Sequence, residues 1–326
     1  MKDRMVETAD ARLLCVCLYM GQAGASPERA RRLVIDGRAG RPTSAALLLC
    51  PSAGSRRYAL QNGEAQQENL QGGIILPAMA TLFAGTSGFA YPAWKPGFYP
   101  AGLPQAKFLE HYAGRLNTVE INYTFRHLPS ATTLESWAAA TPDGFSFAIK
   151  AHQRITHLLR LKGADDATAY FLKALEPLRA AGRLGPVLFQ LPPYLKYDPE
   201  RLAAYLRILP SGIRVAFEFR DQSWLVDDVF ELLRAHNISL CVAESEKLEV
   251  PEVITADFVY YRLRKPDYSA AEIDAFAARC RDLVARGHDL YVMFKHEEDH
   301  TGALRAEHLL RSAAPVAAPA HGEHAA

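Results

Sequence analysis

Long apolar runs are missing from this chain of 326 residues. The longest, LLCVCLYM at 13–20 and AALLLC at 45–50, fall far short of the roughly 18 residues a membrane-spanning helix requires, so no membrane partner is expected. Cysteine is sparse as well: Cys15, Cys17, Cys50, Cys241 and Cys280 form no C-x-x-C pair. An odd, scattered set supports neither a zinc ribbon nor a disulfide framework, and a reducing, cytoplasmic setting is expected. A surplus of charge is also lacking. Thirty-seven basic residues face 36 acidic ones, so a partner gripped by bulk charge alone is not indicated. No G-x-G-x-x-G follows the first strand-like run and no G-x-x-x-x-G-K-[ST] occurs, so no nucleotide cofactor is expected.

Residues 1–78 lack sustained periodicity. A secretory signal would place an apolar stretch directly after a positive start, whereas Asp3, Glu7 and Asp10 precede LLCVCLYM here. A lipoprotein site at Cys50 would need a small residue before it, and Leu49 is not one. The segment 1–78 is expected to be either a disordered extension or the product of an upstream start codon, with Met79 as the natural start. The Ala- and Pro-rich tail 313–326 is expected to be disordered.

Between them, residues 79–312 alternate between short apolar runs and helix-like stretches. The candidate strands are 81–85, 118–123, 145–150, 186–191, 213–219, 238–243, 258–263 and 290–294. Seven intervening stretches carry helical apolar spacing, with Ser130, Asp198 and Ser269 placed as N-caps and Glu272 completing a capping box with Ser269. Eight such units at about 30 residues each predict an α/β fold, a (β/α)₈ barrel of the triosephosphate isomerase type, with an open doubly wound sheet as the rival.

In such a barrel the active site lies at the C-terminal ends of the strands. Polar residues gather there: Glu120 and Asn122, Lys150, Gln190, Glu218 and Arg220, Arg262, and Lys295. The period of two puts Glu218 with Arg220, and Tyr260 with Arg262, on one strand face each. Lys150, Arg220 and Arg262 suit an anionic group such as phosphate or carboxylate. Glu218, flanked by Phe217 and Phe219, is expected to be the general acid or base with a raised pKa, and Glu120 the second carboxylate. His157 follows the third strand as a proton carrier or an ordinary loop residue. A divalent metal held by Glu120, Glu218, Glu244 and His296 stays open as an alternative, although these residues lack a diagnostic spacing.

The segment GTSGFAYPAWKPGFYP, from Gly85 to Pro100, follows the first strand. Gly85 and Ser87 are expected to let backbone approach a ligand, with Tyr91, Trp94, Phe98 and Tyr99 as a wall or lid, or else as a plug of the barrel top. Trp224, after the fifth strand, fits either role.

Together with VEINYTFRHLPS, FAIKAHQRITH, FQLPP, AFEFRDQSW and YVMFKHEEDHTGA, this segment resembles the YecE-like family, also called domain of unknown function 72. The resemblance runs from about Leu82 to Leu310 and implies a triosephosphate-isomerase-type barrel with no established activity. The family's motif positions fall on Gly85, Ser87, Gly88, Tyr91 and Trp94, then on Glu120, Asn122, Phe125, Lys150, Thr156 and His157. Further on they fall on Gln190, Pro192, Pro193, Glu218, Arg220, Trp224, Tyr261 and Arg262. This chain has Arg264-Lys265 where many members carry His-Gly, and Lys295-His296 where many carry paired asparagines. The expected function is a hydrolase, lyase or isomerase acting on a small anionic or phosphorylated substrate. A non-catalytic protein that binds nucleic acid or a metabolite, or an endonuclease-like metal-dependent barrel, is the alternative.

Overall fold

The computed structural model describes residues 80–295 and 299–314. The expectations for 1–78, for 315–326 and for His296 fall outside the described residues. Eight parallel strands close into a barrel in chain order, each paired with the next and β8 with β1. They are β1 (Leu82–Ser87), β2 (Thr118–Ile121), β3 (Ser146–Lys150), β4 (Leu184–Gln190), β5 (Val215–Glu218), β6 (Ser239–Ala243), β7 (Phe258–Leu263) and β8 (Asp289–Phe294). Every expected strand is present, and the closed barrel displaces the open-sheet rival.

The outer layer contains α1 (Phe108–Ala113), α2 (Ala131–Ala139), α3 (Asp165–Ala174), α4 (Glu176–Ala180), α5 (Pro199–Leu206), α6 (Asp227–Ala235), α7 (Ala270–Ala285) and α8 (Thr301–Ala313). Ser130, Asp198 and Ser269 cap α2, α5 and α7 through their side chains, and Ser269 and Glu272 form the expected capping box. One expected helix, 164–184, is two. Pro177 enters the first turn of α4, where it has no N–H to give and its ring would clash with a continuing helix, so α3 ends at Ala174. No helix among the described residues is long and apolar enough to cross a membrane.

Alternation along the strands divides the protein into two apolar bodies. Residues facing outward, such as Phe147, Phe189, Phe217 and Val292, pack beneath the helices in the large core. Those facing inward, including Ala148, Leu188, Ala216, Cys241, Ala243, Tyr260, Tyr291 and Met293, fill the barrel. Phe83 stacks on Tyr291 at 4.6 Å, and Tyr291 lies parallel to Tyr260 at 6.2 Å, so aromatic rings close the lower barrel. Cys241 is a buried member of that filling, as its apolar strand implies.

Gly85 serves the strands rather than a ligand. A Cβ there would lie 1.9 Å from the Thr118 carbonyl oxygen and 2.8 Å from the Tyr112 hydroxyl. That hydroxyl accepts from Thr86 N–H and donates to the Thr118 carbonyl, each at 2.9 Å, tying β1 and α1 to β2. The expected approach of a ligand to Gly85 is thereby corrected, because its open side is taken by β2. Replacing it with alanine forces backbone apart, an overpacking cost of about 1–3 kcal/mol or more. Gly85→Ala is expected to lower the melting temperature by at least about 2 °C in calorimetry, and an unchanged melting temperature would contradict this packing role.

Candidate functional site

The strand register brings the predicted polar ends together. Ser87 lies beside Glu120, Gln190 beside Glu218, and Ala243 beside Arg262. Because Ala243 is small, the Arg262 side chain can cross the mouth of the barrel from β7. Its guanidinium meets Glu120 of β2 and Glu218 of β5, both at 2.6 Å. All three side chains are buried, with Arg262 at 3% exposure and both glutamates at 0%.

Glu120 also accepts from Ser87 Oγ at 2.8 Å, Asn122 Nδ2 at 3.0 Å and the Tyr260 hydroxyl at 2.8 Å. Glu218 contacts Arg220 and, at 3.2 Å, Arg264. Gln190 Oε1 lies 3.5 Å from Arg262. Seven expected residues thus meet at one place: Ser87, Glu120, Asn122, Gln190, Glu218, Arg220 and Arg262.

This arrangement reverses one expectation. Burial by itself would raise the Glu218 carboxyl, but Arg262, Arg264 and Arg220 outweigh burial and hold it at about 2. Burial likewise opposes ionisation of Glu120, and Arg262 with the Ser87 and Tyr260 hydrogen bonds overcomes it, so its pKa lies below the ordinary value. Glu218 is therefore a fixed anion at neutral pH, without the raised pKa of a general acid. The phenylalanines beside it face outward and do not set its environment.

Two further ionisable groups, Lys150 and His157, lie beside the pair. Lys150, at the end of β3, is half-buried. Its Nζ sits 4.6 Å from the centroid of Phe125, with no hydrogen-bond or ion-pair partner among the described residues. Burial first, and the Arg262 charge second, pull its pKa down to about 8, against the opposing pull of Glu120 and Glu218; Arg220 adds to the depression. His157 lies in the π-helical turn Arg154–Leu158 and meets the same Phe125 ring edge-on at 4.9 Å. Burial and the Lys150 charge lower its pKa, which leaves its imidazole neutral at pH 7. Its Nδ1 is bonded to Thr156 Oγ1 at 2.9 Å.

Other candidates stand elsewhere. Trp94 is fully buried, in a cluster with Phe98 and Tyr99 that packs the loop after β1 onto Phe108 and Tyr112. It therefore forms neither a wall nor a lid. Trp224 is also fully buried, stacked on Phe219 at 4.8 Å, with Nε1 donating to the Leu195 carbonyl at 2.7 Å. Lys295 follows β8 and is exposed.

Among the described residues the expected metal set is not assembled, His296 lying outside them. Residue 243 faces the barrel, so Glu244 faces away, where it accepts from the backbone N–H groups of Arg264 and Lys265 and from the Tyr268 hydroxyl. Arg262 occupies the space between Glu120 and Glu218 where a cation would sit. No group of three or more metal-ligating side chains occurs among the described residues. Arg264 was absent from the expected site, although the alternation Tyr260, Arg262, Arg264 places it on the inward face.

Beside the charged mouth lies a groove of about 620 Å³ between the loops after β1 and β2. Phe89, Tyr91, Leu128 and Trp137 supply its apolar surface. Gly88 has φ +99°, and a Cβ there would strike the Tyr91 hydroxyl, which donates to the Ser87 carbonyl. Asn122 joins groove to mouth: its Nδ2 is bonded to Glu120, while its Oδ1 is buried without a partner.

Fold and site together define a (β/α)₈ barrel with a buried, arginine-bridged carboxylate pair at the C-terminal ends of its strands. The model of the family described as "Protein of unknown function DUF72" matches residues 83–324, and the chain belongs to this family. It is 31% identical over 140 residues to the UPF0759 protein YunF of Bacillus subtilis, covering 41% of this chain and 49% of that protein. Against the UPF0759 protein YecE of Escherichia coli K12 it is 31% identical over 142 residues, covering 43% and 48%. The chain thus spans about half the length of the curated relatives it matches. Among solved structures, a DUF72 family protein from Thermotoga maritima superposes with a TM-score of 0.60 at 26% identity, over 71% of this chain and 98% of that one.

The ion-pair geometry has consequences for stability. Glu218→Gln leaves buried guanidiniums short of a counter-charge and is expected to cost about 3–5 kcal/mol in denaturant unfolding. A cost below about 1 kcal/mol would contradict the coupling. The Glu218 pKa is lower in the folded chain than in the unfolded one. Its contribution to stability is therefore complete above about pH 4.5 and is lost as the pH falls through about 2. Melting temperatures measured from pH 6 to pH 2 are expected to fall across that window less steeply for Glu218→Gln than for the wild type.

Proposed function

We propose that the barrel mouth is the active site of an enzyme, of hydrolase, lyase or isomerase type, that binds a small anionic substrate. The observation that carries this reading is the charge imbalance. Four cationic side chains, Lys150, Arg220, Arg262 and Arg264, surround two carboxylates that Arg262 alone bridges. Buried like charges repel, and a bound anion is what relieves that repulsion.

Arg264 supports the assignment in detail. It is 17% exposed at the mouth, it makes one long contact with Glu218, and its buried Nε has no acceptor. A phosphate or carboxylate placed there gains forked, charge-assisted hydrogen bonds. The adjoining groove suits the rest of the substrate, an apolar or planar portion with one O–H or N–H group to satisfy Asn122 Oδ1. Proton transfer in this reading belongs to Lys150, whose pKa is drawn down to about 8, and to the neutral imidazole of His157, since Glu218 is held ionised.

Thermal unfolding of the whole chain tests the anion site. Inorganic phosphate, phosphorylated sugars and small carboxylic acids are each added at about 100 times the dissociation constant, where a ligand contributes about 2.7 kcal/mol. At least one anionic class is expected to raise the melting temperature by several degrees, and neutral sugars are not. The shift is expected to shrink at least fivefold in Arg264→Ala, measured from that variant's own baseline. Equal stabilisation by neutral sugars, or an undiminished shift in Arg264→Ala, overturns the reading.

A further inference from the structure

We propose that Lys150 is a nucleophilic amine that forms an imine with the carbonyl carbon of a small anionic aldehyde or ketone. This inference rests on the anion-binding reading above and names the substrate class more closely.

Geometry carries it. Lysines on protein surfaces are solvated or paired with carboxylates, yet Lys150 Nζ is set inside the mouth against the face of Phe125 with no acceptor among the described residues. Its strand directs it to the catalytic end of the barrel. The two nearest carboxylates that could have claimed it, Glu120 and Glu218, are held by arginines instead. A lysine kept from ion pairing and partly dehydrated is the ordinary setting for an amine that attacks carbonyls. Arg220, one of the cations that depress its protonation, stands more open at the mouth beside Glu218, where an anionic substituent of the substrate would be held.

His157 completes the arrangement. Its ring and the Lys150 ammonium share Phe125, and with Nδ1 bonded to Thr156, its Nε2 has no partner among the described residues. A neutral imidazole so placed can relay the protons that imine formation requires. The neutral amine attacks the carbonyl carbon, forming a C–N bond and a carbinolamine. One nitrogen proton and one relayed proton then leave with the former carbonyl oxygen as water. The resulting iminium takes up the electron pair of an adjacent C–H or C–C bond as a proton passes to a base such as His157 or a carbonyl fragment departs, giving an enamine. Protonation of the enamine carbon restores an iminium, and its hydrolysis by water releases the carbonyl product and the free amine. No oxidant or reductant is consumed.

Borohydride trapping tests this directly, since reduction converts an imine to a stable secondary amine. The whole chain is incubated separately with pyruvate, dihydroxyacetone phosphate and pyridoxal 5′-phosphate, reduced, and mapped by peptide mass spectrometry. At least one probe is expected to label Lys150 in preference to every exposed lysine, at least tenfold over Lys295. Excess inorganic phosphate is expected to suppress that labelling. Its rate should rise with pH and level off above about pH 9, where an ordinary lysine still climbs. Lys150→Arg, which keeps the charge, should remove the labelled peptide while keeping the phosphate-induced thermal shift. Failure of all three probes to label Lys150 above the exposed lysines overturns the imine. If the thermal shift sensitive to Arg264→Ala persists in that case, the anion site stands without it; if both are lost, both readings fall.

Discussion

The guanidinium of Arg262 holds the C-terminal mouth of this barrel in one arrangement. It reaches from β7 across the mouth to Glu120 on β2 and Glu218 on β5, at 2.6 Å to each, with water excluded from all three groups. Desolvating three charges costs several kcal/mol apiece, and only near-ideal hydrogen bonding compensates. Tyr260, Ser87 and Asn122 supply that compensation on the Glu120 side, while Arg220 and Arg264 supply it at Glu218.

The chemistry available to the site follows from this bridge. Carboxylates fixed as anions neither donate protons at neutral pH nor leave room for a metal between them. They make Arg262 a buried structural cation, while Arg220 and Arg264 stand more open at the mouth. With the carboxylates committed, Lys150 has no counter-ion among the described residues and shares an aromatic face with His157. The groove along Phe89, Tyr91 and Trp137 lies to one side of this charged centre, joined to it by Asn122.

Much of this was legible in the chain. Strands buried on both faces read as short apolar runs, and the alternation of two put Glu120, Lys150, Glu218 and Arg262 at one end of the barrel. The same alternation, applied one step further, would have admitted Arg264 and dismissed Glu244, since Ala243 is the inward residue on β6. What the sequence did not disclose was partnership. Phe217 and Phe219 suggested an apolar setting for Glu218, whereas three arginines decide its ionisation. Trp94 and Trp224 were candidates because aromatic loop residues often line sites, yet both are packed beneath their loops, which local sequence does not distinguish. The freedom of Lys150 is also a tertiary property, because it depends on arginines from distant strands having taken its acceptors.

The most direct test of the account is the ionisation of Lys150 itself, followed by NMR on protein labelled at the lysine side-chain carbon and nitrogen, with Lys150→Arg to assign the signal. The account predicts one lysine titrating at about 8, and moving upward when phosphate or a small carboxylate occupies the mouth. A Lys150 signal at the ordinary value near 10.5, unmoved by any anion, would contradict it.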